Sequence, residues 1–309
     1  MKQVFFHVGL HKTGTSTIQN SLYSSTELLA SYGIKYASSG LYVNEPEVGY
    51  RHSLLVYTNA WKNNCYSLLN EVAESNCSKF IISCEAWSRP SAHDKLLFLV
   101  SLLQRKGIQC TAIFYFRNWN NFIRSYYREF CLRRNNKLPF ECFYNVNSHG
   151  AFNYCKIAGS LKSIFGENLI VKRFDDISNI VSDFYISLGV NIKNDEMDSN
   201  RTNLGVTAKD AEIKRLANKL SIDKDLPVLK EAISDYYGDS LLMGDNFIED
   251  PFFSKHESEL TKNKLKEVLG WNFDDIHKLY INRADRCDKN FDVSLLTPIY
   301  HSAMVKLFL

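Results

Sequence analysis

The sequence lacks the features that mark membrane, exported and nucleic-acid-binding proteins. No apolar run approaches the roughly 18 residues that a bilayer crossing requires. The opening MKQVFFHVGLHKTG turns polar at His11, Lys12 and Thr13, where a signal segment would stay apolar. The net charge is only +3 and no nucleic-acid-binding module is recognisable. We expect a cytoplasmic protein with no transmembrane segment and no nucleic-acid partner.

Disulfide and metal patterns are also missing. The eight cysteines include no CxxC pair, and the eight histidines include no HExxH motif. In a chain with no export signal, such scattered cysteines predict reduced thiols rather than a disulfide framework. We therefore expect neither a disulfide-stapled fold nor a bound metal.

Short apolar runs alternate with helical patterns over the first two-thirds of the chain. The runs QVFFHVG, KFIISC and QCTAIFYF have little polar alternation, which is typical of parallel strands buried on both faces. The predicted strands are Gln3–Gly9, Gly33–Ala37, Lys79–Cys84, Gln109–Phe116 and Asn168–Arg173. Helices between parallel strands predict an α/β fold, a three-layer sandwich around a central, mostly parallel sheet.

From about Thr207 the pattern becomes helical and more polar, with AKDAEIKRLANKL as a clear helix. No linker rich in Pro, Gly or Ser precedes it. We therefore expect one domain over residues 1–309, with an α/β core over residues 1–206 and a helical C-terminal extension over residues 207–309.

The first predicted strand runs through the loop GLHKTG into a helix, an arrangement that gathers backbone N–H groups around an anion. Gly9 and Gly14 fit the spacing of the nucleotide-kinase loop GxxxxGK[ST], but Thr15 stands where that loop has its lysine. The basic residue comes earlier, at Lys12. This position suits a ligand that is shorter than a nucleoside triphosphate and carries one phosphate and one transferable group. The residues predicted to bind the anion are His11, Lys12, Thr13, Gly14, Thr15, Ser16 and Thr17.

A second anion site is predicted after the strand CTAIFYF. Arg117 leaves the carboxyl end of this strand, where open α/β sheets bind ligands. Ser125 follows eight residues later on the next helix. A guanidinium holds a phosphate through paired hydrogen bonds, and a nearby hydroxyl adds a third.

These segments resemble the family of PAPS-dependent sulfotransferases, where PAPS is 3′-phosphoadenosine-5′-phosphosulfate. HKTGTST is similar to the family's 5′-phosphosulfate loop, and FRNWNNFIRSYYREF is similar to its 3′-phosphate motif. NLIVKRFDDI resembles a structural segment of the family, and NRTNLGVTAKDAEIKRLAN resembles one found in bacterial carbohydrate sulfotransferases. The resemblance covers roughly residues 1–220. It implies a P-loop-type fold, with Arg117, Ser125 and Arg201 near the 3′-phosphate.

By this resemblance the chain moves a sulfuryl group from PAPS to an acceptor hydroxyl, releases 3′,5′-adenosine bisphosphate (PAP) and needs no metal. The RKGxxGDWK loop of the small-molecule branch is missing, which favours a carbohydrate or glycan acceptor. Aromatics such as Trp61, Trp87 and Tyr57 are candidates to stack on sugar rings, and a place in the core is equally consistent with the sequence. The oligomeric state is not indicated.

Three side chains are candidates for chemistry. Lys12 suits the stabilisation of charge on the leaving oxygen. Two residues compete for the role of general base: Glu85, which follows the strand KFIISC as the family's base often does, and His52, whose neutral imidazole suits proton transfer near pH 7. Two other functions stay open: a P-loop small-molecule kinase, and a non-catalytic nucleotide-binding protein of the same fold.

Overall fold

A computed structural model describes residues 1–43, 50–190, 207–237, 259–280 and 293–308. Its centre is a sheet of five parallel strands in the order β2-β3-β1-β4-β5. The strands are β1 Gln3–His7, β2 Ile34–Tyr36, β3 Lys79–Ser83, β4 Gln109–Phe116 and β5 Leu169–Arg173. The predicted α/β class and parallel sheet are confirmed, and each strand lies within its predicted range.

The central position of β1 follows from its composition. Every residue of QVFFH after the first is buried, as expected of a strand covered on both faces. Gln3 is in register with Lys79 of β3 on one side and with Gln109 of β4 on the other. The carboxyl ends of β1, β3 and β4 therefore lie together at one edge of the sheet.

Helices cover both faces of this sheet, as a three-layer sandwich requires. They belong to the first of two compact units, formed by Met1–Trp119, Gly150–Arg201 and Glu259–Leu279. The helices of this unit are α1 Thr15–Ser24, α2 Thr26–Ser31, α3 Leu54–Tyr57, α4 Trp61–Glu74, α5 His93–Gln104, α8 Tyr154–Phe165, α9 Ile180–Ser187, α12 Glu259–Leu269 and α13 Phe273–Tyr280, whose last residue belongs to the second unit.

Alternate side chains of β1 point into two different cores. Phe5 joins a cluster with Ile18 and Leu22 of α1 and Phe184 of α9. Phe6 points to the opposite face, where its ring contacts that of Phe165 in α8 at a centroid distance of 5.3 Å. Two apolar faces on one strand hold β1 rigidly, so the loop that follows β1 starts from a fixed point.

The order of the strands also predicts where a ligand binds. The connection after β1 leads to β2, at one edge of the sheet. The connection after β4 leads to β5, at the opposite edge, so the direction of the connections reverses between β1 and β4. Open α/β sheets bind ligands at such a reversal, outside the carboxyl ends of the strands. The relevant segments here are the loop after β1 and the residues after β4.

The second unit comprises the described residues of Asn120–His149, Thr202–Ser258 and Tyr280–Leu309. Its helices are α6 Trp119–Arg133, whose first residue belongs to the first unit, α7 Phe140–Asn147, α10 Ala208–Leu220, α11 Leu226–Tyr237 and α14 Val293–Phe308. This unit takes residues from both sides of the expected boundary at 206 and 207. The single domain over residues 1–309 stays a prediction.

The core of the second unit is apolar, with Ile213 and Leu216 of α10, Leu229 of α11 and Met304 of α14 all buried. Thr207 begins α10 with a reciprocal cap, in which its hydroxyl accepts from Asp210 N at 3.0 Å. Within the described ranges, no helix has the length and apolarity that a membrane crossing demands.

Candidate active site

The loop between β1 and α1 has an unusual backbone. Gly9 and Gly14 have φ angles of 74° and 72°, and Lys12, which is not glycine, has a φ of 67°. The Thr13 hydroxyl donates to Leu10 O at 2.6 Å and closes the loop on itself. A left-handed lysine costs about 1–3 kcal/mol, and such strain concentrates at ligand-binding sites. The loop is therefore a candidate site on its geometry alone.

Both glycines of the loop are required by their neighbours as well as by their φ angles. A Cβ added to Gly9 would lie 3.0 Å from Glu85 Cα, and one added to Gly14 would lie 3.0 Å from Ile180 Cγ2. The loop thus passes directly over the backbone that follows β3. This close approach brings the first predicted site next to Glu85.

Helix α1 begins at Thr15, immediately after Gly14, and has no acidic residue in its first turn. The first N–H groups of a helix have no intrahelical acceptor, and the helix dipole favours an anion there. Ser16 is exposed and Thr17 is half-buried, so their hydroxyls add further donors at this end.

Arg117 follows β4 and lies against the same loop. Its Nη1 donates to Lys12 O at 3.0 Å, and its own carbonyl accepts from the hydroxyl of Tyr154 at 2.8 Å. The guanidinium lies over the ring of Phe174, 5.7 Å from the ring centre. Burial lowers the pKa of Arg117, against the opposing charge of Asp175.

One donor of Arg117 is not used. Its Nε is buried and has no hydrogen-bond partner among the described residues. A buried donor without an acceptor costs about 1–3 kcal/mol, so this position favours an anion that accepts from it. The structure therefore brings together Lys12 and Arg117, the main cations of the two predicted sites.

Two other residues are predicted to contact the 3′-phosphate. Ser125 lies half-buried on α6, within the second unit. Arg201 lies outside the described residues. Their contact with a 3′-phosphate stays a prediction.

Glu85 follows β3 and is buried, and both of its carboxylate oxygens accept hydrogen bonds. Oε1 accepts from Arg51 Nη1 and Oε2 accepts from Gln19 Nε2, both at 3.0 Å. Burial alone would raise the pKa of Glu85. The charge of His11, the hydrogen bond from Gln19 and the charge of Arg51 outweigh burial and hold this pKa well below its usual range. Glu85 is therefore ionised at neutral pH.

A buried polar chain holds Gln19 in place. The same Gln19 Nε2 donates to Ser83 Oγ at 3.0 Å, and Ser83 Oγ lies 2.8 Å from Nδ1 of His7. Burial lowers the pKa of His7 to about 4, although the charge of Glu85 opposes this, so the ring is neutral at pH 7. The ends of β1 and β3 thus fix the orientation of Glu85 through α1.

His52 has a different environment. It is completely buried, with Nε2 2.8 Å from Ala37 O and Nδ1 accepting from Ser83 N at 3.0 Å. Burial lowers the pKa of His52 to about 4, partly offset by its bonds to these backbone groups. Each ring nitrogen would have to give up a backbone partner before it could take a proton from a substrate.

Three contributors to the site were not among the predicted site residues. They are Gln19 and Arg51, which hold Glu85, and Phe174, which lies beneath Arg117. Gln19 has a local signal, since it falls one turn beyond the phosphate-type loop on the same helix. Of the candidate sugar-stacking aromatics, Tyr57 is 61% exposed and Trp61 is half-buried. The prediction for Trp87 was wrong, because its side chain is fully buried in the core.

The site joins a strained loop at a helix N-terminus, a buried arginine with an unused donor and an ionised carboxylate at one sheet edge. Such a site can bind an anionic group and accept a proton beside it. Within the described ranges, no group of three or more His, Cys, Asp or Glu side chains is arranged to hold a metal ion.

Comparisons with known proteins add little. No family model and no curated protein sequence matches the chain. A solved sulfotransferase from Alicyclobacillus acidocaldarius is similar in structure, with 15% sequence identity and a TM-score of 0.41, over 72% of this chain and 92% of that one.

Proposed function

We propose that this protein is a sulfotransferase that moves a sulfuryl group from PAPS to a hydroxyl of a carbohydrate or glycan. The observation that carries the proposal is the contact between the two predicted anion sites. Arg117 Nη1 donates to the carbonyl of Lys12 at 3.0 Å, so one structure holds the cation after β4 against the loop after β1. A nucleotide with phosphates at both its 3′ and 5′ positions needs two such sites.

The residues that follow β1 and β4 fit the PAPS donor. The loop amides, the Lys12 ammonium and the hydroxyls from Thr15 to Thr17 suit the 5′-phosphosulfate. Arg117 suits the 3′-phosphate, because its buried Nε has no acceptor among the described residues and a phosphate oxygen accepts strongly from a guanidinium. Ser125 and Arg201 are proposed to complete the 3′-phosphate contacts.

Bound PAPS supplies a sulfuryl group whose transfer forms an S–O bond to the acceptor and breaks the S–O bond to the 5′-phosphate, which keeps the electron pair. Lys12 is proposed to stabilise the charge left on that phosphate oxygen. The acceptor's hydroxyl proton goes to Glu85, beside which the loop passes at Gly9.

The geometry favours Glu85 over His52 as this base. Glu85 is ionised and its orientation is fixed, whereas His52 is completely buried with both ring nitrogens engaged by the backbone. The low pKa of Glu85 makes it a weak base, so we assign much of the rate enhancement to positioning and to charge stabilisation by Lys12.

The proposal is tested by thermal unfolding with PAP and, separately, with ATP plus Mg²⁺. A ligand present at 100 times its Kd stabilises the folded state by about 2.7 kcal/mol, which raises the Tm by several degrees in a protein of this size. We expect PAP to raise the Tm and ATP to do so less. A preference for ATP would favour the kinase alternative, and no response to either ligand would favour a non-catalytic protein.

A further inference from the structure

A second group of cations, Arg51 and Arg89, belongs to the segments that adjoin Glu85. Arg51 contacts Glu85 Oε1 through Nη1 at 3.0 Å, while its Nε is buried without a partner among the described residues. Arg89 ends the short turn that begins at Glu85, and its backbone N donates to Ala86 O at 3.0 Å. Arg51 is therefore in direct contact with the carboxylate, and Arg89 lies at the end of the same short turn, four residues after Glu85.

Arg89 is the less satisfied of these two arginines. Its Nε is buried with no hydrogen-bond partner, and no carboxylate in the described part of the chain forms an ion pair with it. The side chains of Arg51, Arg89 and Glu85 carry charges of +1, +1 and −1, which leaves a net +1 beside the proposed base. A net positive charge with unused buried donors favours an anionic ligand.

Tyr57 is an exposed aromatic residue close to these two arginines. Its side chain is 61% exposed, although it lies close enough to Arg89, Glu85 and Arg51 to feel their charges. Burial of the hydroxyl and the charge of Glu85 raise the pKa of Tyr57, against the two arginines, so its hydroxyl remains a donor at neutral pH. An aromatic face and an O–H donor beside two guanidinium groups suit an acidic sugar.

We propose that the acceptor carries a carboxylate or a sulfate ester close to its reactive hydroxyl, and that Arg89 and Arg51 bind this anion beside Glu85. This inference rests on the proposed function, because it assigns the acceptor side of the same site. The anion is separate from the donor's phosphates, which Lys12 and Arg117 serve.

The test uses three sugars that differ at one carbon: p-nitrophenyl glucoside, its 6-sulfate and p-nitrophenyl glucuronide. Binding of each to the full chain is measured by calorimetry, with saturating PAP and without it. A hydrogen bond to a charged group contributes about 1.5–3 kcal/mol, so we expect at least one anionic sugar to bind about tenfold or more tightly than the glucoside. The two anionic arms distinguish a carboxylate from a sulfate ester.

Arg89→Gln keeps a polar side chain with hydrogen-bond donors but is shorter and removes the charge. We expect this variant to reduce the preference for the anionic sugar about tenfold while the Kd of PAP is unchanged. Arg105→Gln is the matched control, since Arg105 is exposed and follows α5, which leads to the opposite edge of the sheet.

Equal binding of neutral and anionic sugars by the wild-type protein would overturn the inference, as would a preference that Arg89→Gln leaves intact or a failure of both anionic sugars to bind. The proposed function fails separately. In that case PAP does not bind, while the titrations without PAP still measure the preference for an anion.

Discussion

Replacing Gly9 with alanine tests the close approach of the loop to Glu85. The φ of Gly9 is +74°, and an alanine Cβ would lie 3.0 Å from both Cα and Cβ of Glu85. The backbone at this point cannot yield cheaply, because Cys84 N donates to His7 O at 3.1 Å and ties β3 to β1. Two costs therefore add, one from the left-handed backbone and one from overpacking.

The left-handed backbone costs about 1–2 kcal/mol and the overpacking about 1–3 kcal/mol. Gly107 separates the two costs, since its φ is +72° and nothing lies within 4 Å of its Cβ position. Gly107→Ala should lower the free energy of unfolding by about 1–2 kcal/mol. Gly9→Ala should lower it by about 2–5 kcal/mol.

Urea unfolding followed by tryptophan fluorescence measures the free energy of unfolding of both variants and reports on the first unit. All four tryptophans lie in the first unit, and Trp87 is fully buried two residues after Glu85. If Gly9→Ala is no more destabilising than Gly107→Ala, the loop between β1 and α1 does not pass over Glu85, and Glu85 is not its neighbour.

Three further predictions concern the site. Lys12→Gly should raise the free energy of unfolding by about 1 kcal/mol, because glycine relieves the left-handed φ of 67°, and should lower turnover of PAPS by orders of magnitude. Glu85→Gln should lower turnover about 10²–10⁴-fold with the Kd of PAP unchanged. His52→Ala should chiefly lower the free energy of unfolding, by about 1–3 kcal/mol for each backbone group left unpaired. Burial lowers the folded-state pKa values of His7 and His52 to about 4, so the unfolded chain binds more protons between about pH 4 and pH 6.5. Urea unfolding should show stability falling as the pH is lowered through that window, by up to about 2.7 kcal/mol per pH unit for the two groups.

Each of these has a result that contradicts it. Lys12→Gly with wild-type turnover would remove Lys12 from the chemistry. Loss of turnover in folded His52→Ala, with turnover retained in Glu85→Gln, would exchange the roles of the two residues. A free energy of unfolding that stays constant between pH 7 and pH 5 would mean that neither histidine is buried in its neutral form.

The strands and the loop between β1 and α1 were predictable because their signals are local. Parallel strands covered on both faces must be apolar throughout, so a run such as QCTAIFYF shows where β4 begins and ends. Two of the three left-handed positions of the loop are glycines, Gly9 and Gly14, which the sequence shows directly, whereas the left-handed backbone of Lys12 has no such signal. Since parallel strands align their carboxyl ends, the proximity of Lys12, Glu85 and Arg117 could also be predicted from the sequence.

The surroundings of Glu85 were not predictable because they depend on residues distant in sequence. Arg51 and Gln19 reach Glu85 across 34 and 66 positions of the chain, and neither has a periodicity or motif that announces the contact. The environment of His52 is likewise set by Ala37 and Ser83. A single sequence therefore left the choice of base open, and the pairings formed by folding now favour Glu85.

The proposed donor site is tested most directly by calorimetric titration of PAP into the wild-type protein, with Arg117→Ala and Arg105→Ala beside it. We expect a measurable Kd for the wild type, an unchanged Kd for Arg105→Ala and a Kd weakened at least tenfold for Arg117→Ala, since the loss of hydrogen bonds to a phosphate costs about 1.5–3 kcal/mol. Absence of PAP binding by the folded wild-type protein would mean that Lys12 and Arg117 do not form a PAPS site.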